Sequence, residues 1–270
     1  MKKVLITGAG GFIGSYFTNH LAHNVDACDR KALDLTNATR LRQQLQTEKY
    51  DAVIHCASAG RNATQVTDPT IELNNLIGFS NLVANRSLFG ELINLATGAE
   101  FDLDTDICEA SEEEIWSRNP KHSYGRSKNI IARLAQTIPN FYNLRIFGCF
   151  DSSESDKRPL KLFAKKCQLN EPFIIPADRL FDMVSAQDLL TVVDAVLAKK
   201  IHDKDLNIVY NKKYYLSEIV NMYAQLHNLD SKLIHVSGHE TNSYTGNGTR
   251  LSQYQLPLLG LEQSLKIYNT

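Results

Sequence analysis

Tyr124-Gly125-Arg126-Ser127-Lys128 sets a phenol and an ammonium four residues apart, a spacing that puts both on one face of a helix. A free tyrosine ionises near pH 10, too high for acid–base work at neutral pH; a neighbouring ammonium stabilises the phenolate and lowers that value. Such a pair can pass a proton to or from an oxygen, and the lysine can also reach ribose hydroxyls. An exposed Tyr/Lys pair on a helix surface is the competing reading, and spacing alone leaves both open. A second cue is TGAGGFIG, which places four glycines between Gly8 and Gly14. Where a strand turns into a helix, free N–H groups and the positive end of the helix dipole converge on an anion. Gly8 permits the tight turn, Gly11 lets a phosphate approach the backbone, and Gly14 lets the helix pack on the strand. The spacing is GxxGxxG rather than GxGxxG, and glycine-rich turns also exist merely to turn.

Asp29 follows about 20 residues after the first glycine, where a carboxylate can hold the hydroxyls of an adenosine ribose. Arg30 comes next and can instead attract a 2′-phosphate, so NAD and NADP compete, with a plain surface Asp/Arg pair as the alternative. His55 and His122 have no carboxylate or histidine spacing that suggests a metal site, and both read as structural.

These residues need elements to position them. Lys3 to Thr7 is a short apolar run stopped by glycine, suited to a buried parallel strand, and Phe12 to Leu21 then carries apolar residues at helical spacing. The unit repeats: strand at Val25 to Cys28, helix at Thr39 to Thr47, strand at Asp51 to Cys56. Asp68-Pro69 starts a long helix, Gly90 to Ala96 reads as a strand, and helix Tyr124 to Thr137 with strand Tyr142 to Phe147 extends the series. Alternation of this kind predicts a parallel sheet covered on both faces. Beyond Cys149 the texture changes to DSSESDKRP, which opens a second region with helices at Pro159 to Gln168, Ala186 to Ala198 and Ser217 to Leu226. An apolar stretch at Pro172 to Ile175 and a strand near Leu206 to Tyr210 lie between them.

The 270 residues are 43% hydrophobic and carry a formal charge of −1, enough for a full core and without the basic excess of a nucleic-acid binder. Five scattered cysteines, Cys28, Cys56, Cys108, Cys149 and Cys167, form no CxxC pair, which argues against zinc and a disulfide framework and for a reducing cytoplasm. No stretch has a signal-peptide core or membrane-spanning length, and the Asn62-Ala63-Thr64 triplet reads as chance rather than a glycan acceptor.

In combination these motifs resemble the extended short-chain dehydrogenase/reductase family, the group of nucleotide-sugar epimerases, dehydratases and reductases. Its marks are TGAGGFIG, CDR, LDLTN, DAVIHCAS, ELNNLIGFSNLV, INLATGAEFD, YGRSK, NLRIFG, RLFDMVSAQDLL, NIVYNKKYYLSEIV and YTGNGTRL. The resemblance implies a Rossmann-type doubly wound α/β sheet. Residues 1–150 would form the NAD(P)-binding domain and 151–270 a smaller region for the nucleotide sugar, part of which returns to the main sheet. It implies that Gly8, Gly11, Phe12, Ile13 and Gly14 meet the pyrophosphate and that Asp29 and Arg30 meet the adenosine ribose. Asp34 and Leu35 would flank adenine, Cys56, Ala57 and Ser58 would line the channel, and Asn74 matches an asparagine of the following helix. Thr97 falls at the position of the catalytic serine or threonine, Tyr124 is the general acid/base and Lys128 its partner. Thr97, Gly98 and Arg179 would meet the substrate, a nucleoside-diphosphate sugar. A homodimer built on the helices around 69–84 and 124–137 is also implied.

Dehydratases of the group carry Asp-Glu directly after the active-site threonine. Here Gly98-Ala99 stands instead, so the groups for eliminating water are missing. The compact segment between Asp29 and the third strand resembles reductases of 4-keto-6-deoxy sugars, which favours reduction; a 4-epimerase and a non-catalytic nucleotide-binding subunit are the alternatives. The histidine and cysteine of a combined epimerase-reductase are not evident. Arg158, Lys161 and Lys165 lie near enough in sequence to Arg179 to contribute to a diphosphate site, although a solvated helix face explains each lysine; Arg145 reads as structural.

Overall fold

The computed structural model describes residues 1–60 and 68–268; the Asn62-Ala63-Thr64 triplet lies outside the described residues. The chain opens with β1 (Lys3–Thr7), α1 (Phe12–His20), β2 (Asn24–Cys28), α2 (Ala38–Thr47) and β3 (Tyr50–His55). It continues through α3 (Pro69–Ala84), β4 (Phe89–Thr97), β5 (Ile107–Ala110), α4 (Ser123–Ala135), β6 (Phe141–Ile146) and β7 (Cys149–Phe150). Then follow α5 (Pro159–Gln168), β8 (Phe173–Ile175), β9 (Val184–Ser185), α6 (Ala186–Leu197), β10 (Asp205–Ile208) and α7 (Leu216–Leu226). The last elements are β11 (Ile234–Val236), β12 (Tyr244–Gly246), α8 (Thr249–Ser252) and α9 (Gly260–Ile267).

Six strands form one parallel sheet in the order β10-β6-β4-β3-β1-β2. The order reverses between β1 and β3, and in open α/β sheets ligands bind outside the carboxyl ends of the strands at that switch point. The expected Rossmann-type architecture is thus present. One face of the sheet is covered by α1 and α6, with Val4, Ile6, Phe17, Ile54, Val192 and Val196 in the shared core. The other face buries Leu5, Val53, Leu41, Phe79, Leu82 and Ile131 beneath α2, α3 and α4. Strands covered on both sides explain the unbroken apolar runs of β1 and β3.

Side chains fix where the helices begin. Asn37 accepts from Arg40 N at the start of α2, Asp68 from Thr70 N ahead of Pro69 in α3, and Ser185 from Asp188 N in α6; each satisfies a backbone donor that the helix leaves open. After β7 the chain leaves the sheet. Helices α5, α7 and α9 with β8 enclose a separate core of Phe163, Phe173, Ile175, Tyr223 and Leu265. Between α6 and α7, β10 comes back to the edge of the main sheet beside β6. Among the described residues no helix is long and apolar enough to cross a membrane.

Candidate active site

The glycine turn closes β1 against α1. Gly8 has φ +73°, and a Cβ there would stand 2.5 Å from Ala57 N, so only glycine fits on both counts. A Cβ on Gly14 would fall 2.3 Å from the Gly8 carbonyl oxygen, which is how the helix start comes down onto the turn. No side chain caps α1, leaving the N–H groups of its first turn to an outside acceptor.

A cleft of about 470 Å³ runs from this turn along the ends of β1, β2 and β3. Of the residues that the sequence points to, Gly8, Gly11, Asp29, Arg30, Asp34, Leu35, Ala57, Ser58 and Asn74 line it. Phe12, Ile13, Gly14 and Cys56 do not: the side chains of Phe12 and Ile13 pack against the sheet core, and Cys56 is buried in it. What Phe12 and Ile13 can offer an anion is backbone N–H alone. Asp29 uses Oδ1 to accept from Ala32 N at 2.8 Å. Asp34 is engaged locally, accepting from Thr36 N and Oγ1 at 3.0 and 2.8 Å, and these bonds hold its carboxyl below the usual range. Arg30 leans toward Asp34 at 3.5 Å while staying mostly in solvent.

The candidate proton-handling residues Thr97, Tyr124 and Lys128 gather beyond the cleft. Thr97 ends β4 and its Oγ1 accepts from Ala99 N at 3.3 Å, capping a tight turn over Gly98–Phe101. Tyr124 stands in the first turn of α4, its ring beside Gly60. Gly125 lets that turn descend onto the Ala99 carbonyl, since a Cβ would be 2.7 Å from it. Lys128, one turn further on, is buried and donates to the Leu95 carbonyl at 3.2 Å. Its charge reaches His55, whose Nδ1 lies 2.9 Å from Thr7 Oγ1; burial first, and Lys128 second, push that imidazole down to about 3, so it is neutral.

A phenol, a hydroxyl and a lysine side chain set beside an uncapped helix start are groups that can exchange a proton with an oxygen. The Epimerase model, described as the NAD dependent epimerase/dehydratase family, matches residues 4–209. The chain belongs to this family. Among solved structures it is similar to dTDP-4-dehydrorhamnose reductase from Bacillus anthracis in complex with NADP, with TM-score 0.84 and 19% identity, covering 99% of this chain and 97% of that one. GDP-mannoheptose C4 reductase from Campylobacter jejuni with NADP bound gives TM-score 0.82 and 17% identity over 98% and 96%. A curated relative, UDP-glucose 4-epimerase 1 of Oryza sativa subsp. japonica, is 22% identical over 169 residues, 51% of this chain; the match spans about half of the relative's length, 47%.

As a member of the epimerase/dehydratase family, the chain shows several side chains that sequence reasoning missed. Asn75, rather than Asn74, is the buried asparagine of α3: its Oδ1 accepts from Ala59 N at 2.8 Å and its Nδ2 donates to Ser127 Oγ at 3.0 Å. Ser127 in turn donates to the Tyr124 carbonyl, so Asn75 ties the loop after β3 to the first turn of α4. Helical period could have found it, because Ile71, Asn75, Gly78, Phe79 and Leu82 share the buried face. Gly10 also lines the cleft, and a Cβ there would touch only Asp29 Cβ. Tyr244 places its hydroxyl 3.3 Å from Thr97 Oγ1, which no local spacing signals.

Arg145 is fully buried. It donates to Glu100 at 2.7 Å, to both oxygens of Asp205 at 3.0 Å and to Asn207 at 3.0 Å, and stacks over Phe101. Burial pushes the Glu100 carboxyl up to about 7 against the pull of Arg145. This cluster pins the Gly98–Phe101 turn to β6 and β10. Arg158 donates to the Cys149 carbonyl and Lys161 to that of Glu154, so both brace the excursion after β7. Lys165 lies exposed on α5. Among the described residues the half-buried guanidinium of Arg179 has no hydrogen-bonding or ionic partner, one residue before Leu180, whose carbonyl accepts from Tyr244 N.

Proposed function

We propose that this protein is an NAD(P)H-dependent reductase of a nucleoside-diphosphate sugar, acting on a 4-keto group, most simply of a 6-deoxy sugar. The observation that carries the proposal is the turn Thr97-Gly98-Ala99 set against Tyr124 and Lys128. A Cβ on Gly98 would stand 2.4 Å from the Phe147 ring, so the turn has no room for the carboxylate that an elimination needs.

The residues present fit a dinucleotide. An uncapped first turn of α1, glycines with no side chains to intrude, a carboxylate at the end of β2 and a cleft of about 470 Å³ suit an adenosine diphosphate moiety. When bound, the nicotinamide supplies the hydride at the sugar carbon. Tyr124 delivers the proton to the oxygen, Thr97 hydrogen-bonds that oxygen, and Lys128 favours the phenolate that Tyr124 leaves behind. Arg179 offers its guanidinium to the sugar-linked diphosphate. Residues 1–150 bind the dinucleotide and 151–270 the nucleotide sugar, with β10 lent to the main sheet.

Support for reduction over epimerisation comes from the single helix α2 between β2 and β3 and from the reductases among similar structures. The epimerase named among relatives keeps 4-epimerisation as the second reading. Purified protein incubated with dTDP- or GDP-linked 4-keto-6-deoxy sugars and NADPH or NADH should oxidise the nucleotide in step with sugar. NAD that stays tightly bound through purification, with no net oxidation of added NADPH or NADH, would establish the epimerase instead. A second copy of the chain is the proposed partner: Leu73, Ile77, Ile130 and Leu134 are exposed on α3 and α4 at helical spacing. The free thiols of Cys28, Cys108, Cys149 and Cys167 accord with a cytoplasmic setting.

A further inference from the structure

We propose that Tyr244 is a positioning residue that makes Thr97 a hydrogen-bond donor toward the substrate oxygen. This rests on the reading that Thr97 and Tyr124 face a sugar carbonyl.

Tyr244 is held from several directions. In β12 it pairs with Ile107 of β5, its N–H donates to the Leu180 carbonyl at 2.8 Å, and its own carbonyl accepts from Asp182 N at 3.1 Å. Its ring packs against Phe147 and Phe181, with centroids 5.1 and 5.7 Å apart. The hydroxyl therefore has little freedom to look elsewhere. A buried phenol O–H needs an acceptor, and among the described residues the one within reach is Thr97 Oγ1, at 3.3 Å. Burial raises the Tyr244 ionisation far above its ordinary value against the pull of the Thr97 and Ala99 hydrogen bonds, so the phenol keeps its proton.

A threonine hydroxyl has two acceptor sites and one hydrogen. In the proposed orientation Ala99 N–H fills one acceptor site of Thr97 and the Tyr244 hydroxyl, 3.3 Å away, fills the other. The Thr97 hydrogen is then directed away from both, to a ligand. A ketone oxygen only accepts, so this orientation suits a carbonyl substrate and the alkoxide that it becomes; the opposite orientation would turn a lone pair toward that oxygen. The proton of Thr97 stays on Thr97, and Tyr124 supplies the one that is transferred.

The test is a double-mutant cycle read against the reduction of a nucleoside-diphosphate 4-ketosugar. Tyr244→Phe should lower kcat about tenfold with KM changed by less than about twofold, and Thr97→Ala combined with Tyr244→Phe should be no slower than Thr97→Ala alone. Losses that multiply in the double variant would overturn the proposal. Thr97→Ser keeps the hydroxyl and should retain its sensitivity to Tyr244→Phe. A second readout needs neither cofactor nor substrate. With ¹³C-methyl-labelled threonine, the resonance that vanishes in Thr97→Ala should shift in Tyr244→Phe, and an unmoved resonance overturns the pairing. A wild-type protein that turns over no ketosugar overturns the reductase reading instead, and the methyl shift then decides the Tyr244–Thr97 pair by itself.

Discussion

In the proposed reductase Tyr124 carries the transferred proton, so Tyr124→Phe should lower kcat by about 10² or more while leaving the melting temperature nearly unchanged, the scale on which general acids act. Steady-state kinetics beside thermal unfolding checks both halves. In the proposed cofactor site Asp29 and Arg30 make a finer choice. An exposed Arg30–Asp34 pair at 3.5 Å is weak and can release the arginine to a 2′-phosphate, whereas Asp29 favours unmodified ribose hydroxyls. A strong preference for NADPH in binding titrations would remove the ribose role from Asp29. Asp102 tests a different cost: a non-glycine residue at φ +78° directly after the Gly98–Phe101 turn. Asp102→Gly relieves that conformation but gives up the bond in which Asp102 Oδ1 accepts from Asp104 N at 3.2 Å, so the melting temperature should move by no more than a few degrees.

Elements hold these residues through buried polar links. Arg145 joins the turn after β4 to β6 and β10, and removing it leaves Glu100 and Asp205 facing each other without a cation. Arg145→Leu should therefore cost about 3–5 kcal/mol in denaturant unfolding, the scale for stranding a buried charge. His55 at the end of β3 ties acid stability to the same region. Its folded value of about 3 lies below the unfolded value near 6.5, so the unfolded chain takes up the proton first as pH falls. The contribution of His55 is full above pH 6.5 and is lost as pH falls toward 3, at up to about 1.4 kcal/mol per pH unit. His55→Gln should flatten the fall in stability by that slope between pH 6.5 and 4.5, measured as the difference between variant and parent urea curves.

At the scale of the whole molecule, the exposed apolar residues of α3 and α4 are the face on which the proposed second copy would sit. Leu73, Ile77, Ile130 and Leu134 lie on two helices that pack side by side, and a second copy would bury them as a four-helix face. Leu73→Glu with Leu134→Glu should convert a dimer into a monomer in sedimentation, since charged groups cannot be buried there without partners. A parent protein that sediments as a monomer would remove the partner from the proposal.

Much of the site was legible because its parts are local in the chain. The glycine turn, the strand-end Asp29 and the Tyr124/Lys128 spacing each lie within one unit of strand, turn or helix, where period and backbone geometry decide the outcome. Helices α2, α3 and α5 begin close to where their capping residues and prolines place them, for the same reason. Asn74 lines the cleft as the motif implies, and its neighbour Asn75 is the buried one; which of the two turns inward depends on how α3 packs against α4. Phe12 and Ile13 matched a phosphate loop by position, yet their side chains belong to the core. The sequence alone thus determined the order of the elements and singled out Thr97, Tyr124 and Lys128 as candidates. Only the tertiary structure decided that Tyr244, 147 residues away, meets Thr97 and that Arg145 lies between two buried carboxylates. Those contacts follow from sheet order and from the return of the C-terminal segment over the strand ends, which short-range spacing does not encode.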